Sequence, residues 1–259
     1  KSVLFLFLIC SALFASAQNW KQLPDFPGTS RDDGAAFLLG DTAYFGTGLT
    51  PWFEAQRDFF AYDLKNETWF AIASLPEGEE RQYAATFESA DKEGYIFGGY
   101  RGTEFLNDLW KYNPNTDTWS ELTALPSAGR SGSVSFVIND TAYIIGGKTA
   151  TAQATAEIWA YSIKSDQWLQ KNDLPFGARW RSSALQKDEK GYLTFGRDEN
   201  NFFHKELHAY DPILDNWQLL SSFPSAPRSH ACLFSLDGLL HVAFGIDSLD
   251  QSYNDLWSY

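Results

Sequence analysis

Five arginines, Arg31, Arg81, Arg130, Arg179 and Arg228, recur at intervals of 49 or 50 residues. A guanidinium carries a permanent charge and five donors in a fixed fork, which suits two different tasks. It can tie down carbonyls and carboxylates inside a fold, or it can grip the carboxylate of a ligand from a channel mouth. Recurrence in every copy of a pattern is what a scaffold role predicts. Arginines that break the pattern, Arg101, Arg181 and Arg197, are therefore the stronger candidates for ligand contact. Trp180 follows Arg179 directly, and Phe203 lies in the polar run 197–205; each could stack on a sugar ring or anchor a protein partner. Trp52, Phe53, Phe105, Phe202 and Tyr253 offer similar surfaces, with packing of loops against one another as their alternative use.

Other chemistry finds less support. His204 and His208 are four residues apart, but in the strand-like run HKELHAY rather than on a helix, and His230 and His241 stand alone. No metal site and no cofactor are expected. The chain contains no G-x-S-x-G and no phosphate-binding glycine loop, so nucleophilic and phosphoryl chemistry lack a signature and no catalytic residue is assigned. Cys232 lies among small residues and reads as inert core. The sequons at Asn66 and Asn139 fall on turns and matter only in a eukaryotic host. A net charge of −13 argues against nucleic acid and anionic membranes as partners.

The elements that must position these residues follow from the same period. Tyr62, Tyr112, Tyr161 and Tyr210 are each followed seven residues later by a tryptophan: Trp69, Trp119, Trp168 and Trp217. Four residues before each tyrosine stands an acid, Asp58, Asp108, Glu157 and Glu206, and Asp255 holds the same place before Tyr259. Small residues precede Phe37, Phe87, Phe136 and Phe234, and a glycine recurs at 48, 99, 147, 196 and 245. Within one repeat, the runs SGSVSFVI, TAYIIGG, EIWAYSI and QWLQK read as four short strands. A lone four-stranded sheet cannot bury both apolar faces, so the repeats must stack, and radial stacking gives an all-β propeller of antiparallel blades.

The runs YIFGG at 95–99, AYIIGG at 142–147 and LWKYNPNTDTW at 109–119 resemble kelch repeats, and the likeness extends over 18–259. Gly46-Thr47-Gly48, Gly196-Arg197 and Gly245-Ile246 depart from the double glycine. The resemblance implies a kelch-type β-propeller, and also that residues at the recurring arginine position touch ligands in some members. Five repeats enter near Arg31, Arg81, Arg130, Arg179 and Arg228. The last lacks its fourth strand while NWKQL at 19–23 supplies an unpaired one, so the expectation is a piece of a six- or seven-bladed ring, a closed five-bladed ring being the alternative. Turns between first and second strands are tight; connections between second and third strands are long, and function concentrates on such a loop face. Residues 1–17 read as a signal peptide cleaved after Ala17, which predicts a secreted, periplasmic or cell-surface protein with no integral membrane segment. The function expected is recognition of a glycan or protein partner through the loop face. Alternatives implied by the resemblance are an enzyme similar to the sialic-acid mutarotases, whose carboxylated sugar an arginine-lined pocket would suit, or one similar to the copper galactose oxidases, whose ligands find no match here. A structural adhesin module is the remaining reading.

Overall fold

The computed structural model describes residues 21–259. The expected signal segment, and Trp20 of the expected strand at 19–23, lie outside them; Lys21–Leu23 carry no regular structure. Every regular element described is a β-strand. Blade 1 comprises Ala35–Leu39, Thr42–Gly46, Phe59–Asp63 and Thr68–Ile72; blade 2, Ala85–Glu88, Gly94–Arg101, Glu104–Asn113 and Thr118–Leu122. Blade 3 comprises Val134–Ile138, Thr141–Ile145, Ile158–Ser162 and Gln167–Gln170; blade 4, Ser183–Lys187, Lys190–Thr194, Glu206–Asp211 and Asn216–Ser222. Blade 5 has three described strands, Cys232–Leu236, Leu239–Ala243 and Leu256–Ser258. Each blade is an antiparallel sheet in sequence order, and the first strands of consecutive blades lie side by side as the inner layer of a β-propeller.

The register explains the tyrosine–tryptophan spacing. Tyr62 lies directly opposite Trp69, Tyr112 opposite Trp119, Tyr161 opposite Trp168 and Tyr210 opposite Trp217. Their ring centroids are 4.8–5.1 Å apart, close enough for aromatic pairing to add to burial. Phe37 of blade 1 and Phe136 of blade 3 press on Gly94 and Gly191 of the next blades, where a Cβ would come within 2.2 and 2.0 Å of the ring. Small residues on the second strand thus make room for the phenylalanine of the preceding blade.

An aspartate in the turn between third and fourth strands clasps each of blades 2, 3 and 4 to the one before. Asp117, Asp166 and Asp215 adopt the left-handed conformation that an aspartate tolerates in a tight turn, with φ of 49°, 53° and 47°. They accept the hydroxyls of Tyr112, Tyr161 and Tyr210 at 2.9, 2.8 and 2.6 Å. The same carboxylates accept the backbone amides of Ala73, Thr123 and Asn172 in the preceding blade at 2.8, 3.0 and 3.5 Å. Alongside, the indoles of Trp119 and Trp168 donate to the carbonyls of Ala73 and Thr123 at 2.8 and 2.7 Å. Trp69 donates in the same way to Pro24 at 3.0 Å, so the segment before blade 1 occupies the place of an inter-blade connector.

Two expectations are corrected. Phe37, Phe87 and Phe136 are at most 6% exposed, whereas Phe234 of blade 5 is 39% exposed, because no described blade covers that face. Cys232 is exposed there for the same reason, and is not core. Nor is every connection between second and third strands long: in blade 2 the two strands extend as a hairpin, pairing Arg101 with Glu104 around a turn at 102–103.

Candidate functional site

Four of the recurring arginines face inward. Arg31, Arg81, Arg130 and Arg228 each pair with the acid 27 residues later, at or just before the third strand of the same blade. Arg31 meets Asp58, Arg81 holds both oxygens of Asp108 at 2.8 Å, Arg130 meets Glu157 at 2.6 Å and Arg228 meets Asp255 at 2.7 Å. Arg81 and Arg228 are 0% exposed. Burying such a charge is tolerable only when its donors are taken, and the carbonyls of Gly98 and Phe244 take what the acids leave. The indoles of Trp110, Trp159 and Trp257 donate to the same acids. These arginines fasten the approach to the inner strand onto the third strand.

Blade 4 departs from this arrangement. Arg179 is 4% exposed, yet Glu206 leans toward His204, with 3.7 Å between carboxylate and Nδ1. Arg179 donates instead to the Ala178 carbonyl at 2.8 Å and lies 5.3 Å from the centre of the Phe176 ring. Phe176 in turn stacks on His208 at 3.7 Å, and His208 stands where Trp110, Trp159 and Trp257 stand in their blades. Burial, then the nearby Arg179 charge, push the His208 pKa down to about 4.

The mouth of the channel is built one step further along. Two residues after each recurring arginine comes a left-handed residue: Asp33, Tyr83, Gly132, Arg181 and His230, with φ between 52° and 62°. Their backbones link the blades, the amides of Tyr83, Gly132 and Arg181 donating to the carbonyls of Asp33, Tyr83 and Gly132 at 3.0, 2.9 and 2.8 Å. Their side chains are left to the mouth. There the Arg181 guanidinium sits 4.3 Å from the Tyr83 ring centre and 4.5 Å from that of Trp180. Arg197 sits 5.3 Å from Trp180 and 4.6 Å from Phe203. The contacts run Tyr83, Arg181, Trp180, Arg197, Phe203, cation and ring in alternation. Lys148 of blade 3 approaches the same indole at 5.6 Å. Backbone pairing between Trp180 and Arg197, and between Arg197 and Phe203, fixes the order.

Stacking occupies the flat faces of a guanidinium and leaves its N–H edge for an acceptor. Arg197 meets only the neutral oxygens of Ser229 and Asn201, both at 3.3 Å, and the Nε of Arg181 is buried without a partner. Burial, then Arg181, lower the Arg197 pKa. Burial pushes Tyr83 up to about 12, with the Asp33 carboxylate beside its hydroxyl adding to the shift and Arg181 opposing it. Asp33 is itself raised, by burial first. Desolvation, then the Arg181 and Arg197 guanidiniums, push the His230 pKa down to about 4.

Of the expected site residues, Trp180, Arg181, Arg197 and Phe203 meet. Arg101 does not join them: it sits at the hairpin tip of blade 2, held by Glu79 at 3.2 Å and Glu104 at 2.8 Å. Tyr83, Asp33, His230 and Lys148 were not singled out as site residues. For the first three a signal existed, since the position two after each arginine differs in all five repeats, through Asp, Tyr, Gly, Arg and His. Among the described residues no group of three His, Cys, Asp or Glu converges on a metal-sized space, and no helix is long and apolar enough to cross a membrane.

Stacked antiparallel blades, with recurrent Gly and Tyr–Trp positions and a cationic, aromatic mouth, define a kelch-type β-propeller. More particularly, the chain belongs to the Attractin/LZTR1 beta-propeller family, whose model matches residues 44–257. It is similar to the N-acetylneuraminate epimerase of Haemophilus influenzae (strain PittEE), 34% identical over 149 residues, covering 54% of this chain and 38% of the relative. The N-acetylneuraminate epimerase of Shigella sonnei (strain Ss046) is 34% identical over 138 residues, covering 51% of this chain and 35% of that protein. The match thus spans little more than a third of the length of these relatives. Among solved structures, "Structure of YjhT" superposes with a TM-score of 0.79 at 14% identity, over 94% of this chain and 85% of that one, a likeness of fold.

Proposed function

We propose that the mouth of the channel beside blade 4 binds a carboxylated sugar of the N-acetylneuraminate type. One observation carries this reading. Arg31, Arg57, Arg81, Arg101, Arg130 and Arg228 each have a carboxylate within 4.0 Å. The arginines without one among the described residues, Arg179, Arg181 and Arg197, all belong to blade 4, and two of them converge on Trp180. In a chain of charge −13, unpaired cations held between aromatic rings are a preorganised seat for an anion, and the indole gives a sugar ring a face to lie on. The names of the relatives supply the sugar.

Titration of the full-length protein with N-acetylneuraminate and with neutral N-acetylmannosamine tests this. The acid is expected to bind and the neutral sugar not. Arg181→Gln and Arg197→Gln should each weaken binding by about tenfold to a hundredfold, since a charge-assisted hydrogen bond contributes roughly 1.5–3 kcal/mol. Equal binding of both sugars, or unchanged affinity in both variants, would reject the site. A catalytic reading draws on Asp33 and Tyr83 beside Arg181, both shifted toward their protonated forms. Interconverting sugar anomers requires one group to take a proton from the anomeric hydroxyl and another to return one to the ring oxygen. Anomer exchange followed by proton NMR, with Tyr83→Phe as the variant, separates turnover from binding alone.

A further inference from the structure

Building on that reading, we propose that the site takes a sugar acid bearing two anionic groups, the second held by Lys148 on the blade 3 side of Trp180. The Lys148 ammonium lies 5.6 Å from the Trp180 ring centre, close to an indole that already has Arg181 and Arg197 around it. No carboxylate lies within 4.0 Å of this ammonium among the described residues, although Lys111 and Lys171 have one. Its backbone is pinned: Lys148 pairs with Ser131 in a short ladder beside the start of the inner strand. Gly132 keeps the space between the blades open, since a Cβ there would stand 3.3 Å from both the Trp180 ring and the Arg181 chain.

Three like charges gathered on one indole repel one another. A single carboxylate satisfies the arginine pair and leaves the lysine facing it uncompensated. Two anionic groups on one ligand satisfy both, and joining them makes capture of the second group intramolecular. The second group has two chemical sources, a phosphate on the same sugar or the carboxylate of a second acidic sugar.

Calorimetric titration of the full-length protein at two salt concentrations distinguishes these cases. The probes are N-acetylneuraminate, its 9-phosphate and α2,8-linked disialic acid, each against wild type and Lys148→Gln. At least one doubly charged probe is expected to bind about tenfold or more tighter than the monomer, with a steeper loss in salt. Lys148→Gln should erase that advantage, bringing the ratio of dianion to monomer affinity to about one. The phosphate and disialic arms show which source applies. If the monomer binds but neither dianion binds tighter, or if Lys148→Gln keeps the advantage, the second subsite is wrong while the sugar-acid site stands. If no probe binds, both fall together. Unchanged thermal melting of the variant guards against loss of fold, and is the expected result because the half-buried Lys148 side chain makes no ion pair among the described residues.

Discussion

At the scale of single residues, blade 4 differs from its neighbours by a few substitutions. His208 replaces the tryptophan whose indole donates to the acid in blades 2, 3 and 5, and it is buried with its Nδ1 unpartnered. A histidine with a folded pKa near 4 and an unfolded value near 6.5 binds more protons when unfolded. Its contribution is fully present above about pH 6.5 and is lost as pH falls toward 4. The loss is on the order of 3 kcal/mol at most. Urea unfolding at pH 7 and pH 5 should show wild type losing stability, and His208→Phe losing measurably less; parallel losses would remove His208 as the cause. The sequence showed that His208 sits in a tryptophan column. It could not show that Glu206 turns from Arg179 to His204, because that depends on rotamers chosen by packing.

At the scale of elements, the hydrogen-bonded clasp accounts for a regularity that was visible without its reason. The seven-residue gap from tyrosine to tryptophan is the length of a turn that places the two rings opposite each other and leaves an aspartate between them. Hydrogen bonds from Tyr161 and Thr123 outweigh burial and hold Asp166 below the usual carboxylate range. Asp166→Ala removes the acceptor of the Tyr161 hydroxyl and of the Thr123 amide and hydroxyl. A loss of about 2–4 kcal/mol is expected in chemical denaturation, since each deserted donor costs roughly 1–3 kcal/mol where it is shielded from water. Asp166→Asn keeps one acceptor oxygen and tolerates the left-handed backbone, so it should lose about half as much. Equal losses in the two variants would show that the turn, and not the acceptor, matters. Periodicity made the strands, the arginine–acid columns and the aromatic pairs legible, because each repeats. The alternating ladder at the mouth does not repeat, and Lys148 reaches it from another blade, so only the fold could assemble it.

At the scale of the whole molecule, the inner strand of each of blades 1–4 has the following blade's inner strand beside it, and among the described residues blade 5 has none. Leu236, Leu239, Leu256 and Trp257 are each more than a third exposed on blade 5. Residues 18–259 prepared alone are therefore expected to self-associate or bind an apolar dye, as uncovered sheet faces and edges do. Sedimentation showing a dye-silent monomer would contradict this. The left-handed residues at the mouth bear on a different matter. Their amides and carbonyls join blade to blade, so the main chain at Asp33, Tyr83, Gly132 and Arg181 is spoken for, while the side chain is not. Five residue types as unlike as Asp, Tyr, Gly, Arg and His occupy this one position without altering the backbone beyond a φ range of 52° to 62°. The position is in effect a ring of sockets whose side chains differ while one backbone conformation is kept, so that the lining of the mouth is free to change a residue at a time. Gly132 is the one position of the five without a side chain, and a Cβ there would meet the Trp180 ring and the Arg181 chain at 3.3 Å, so a side chain added at that point would push on the cation–aromatic ladder itself.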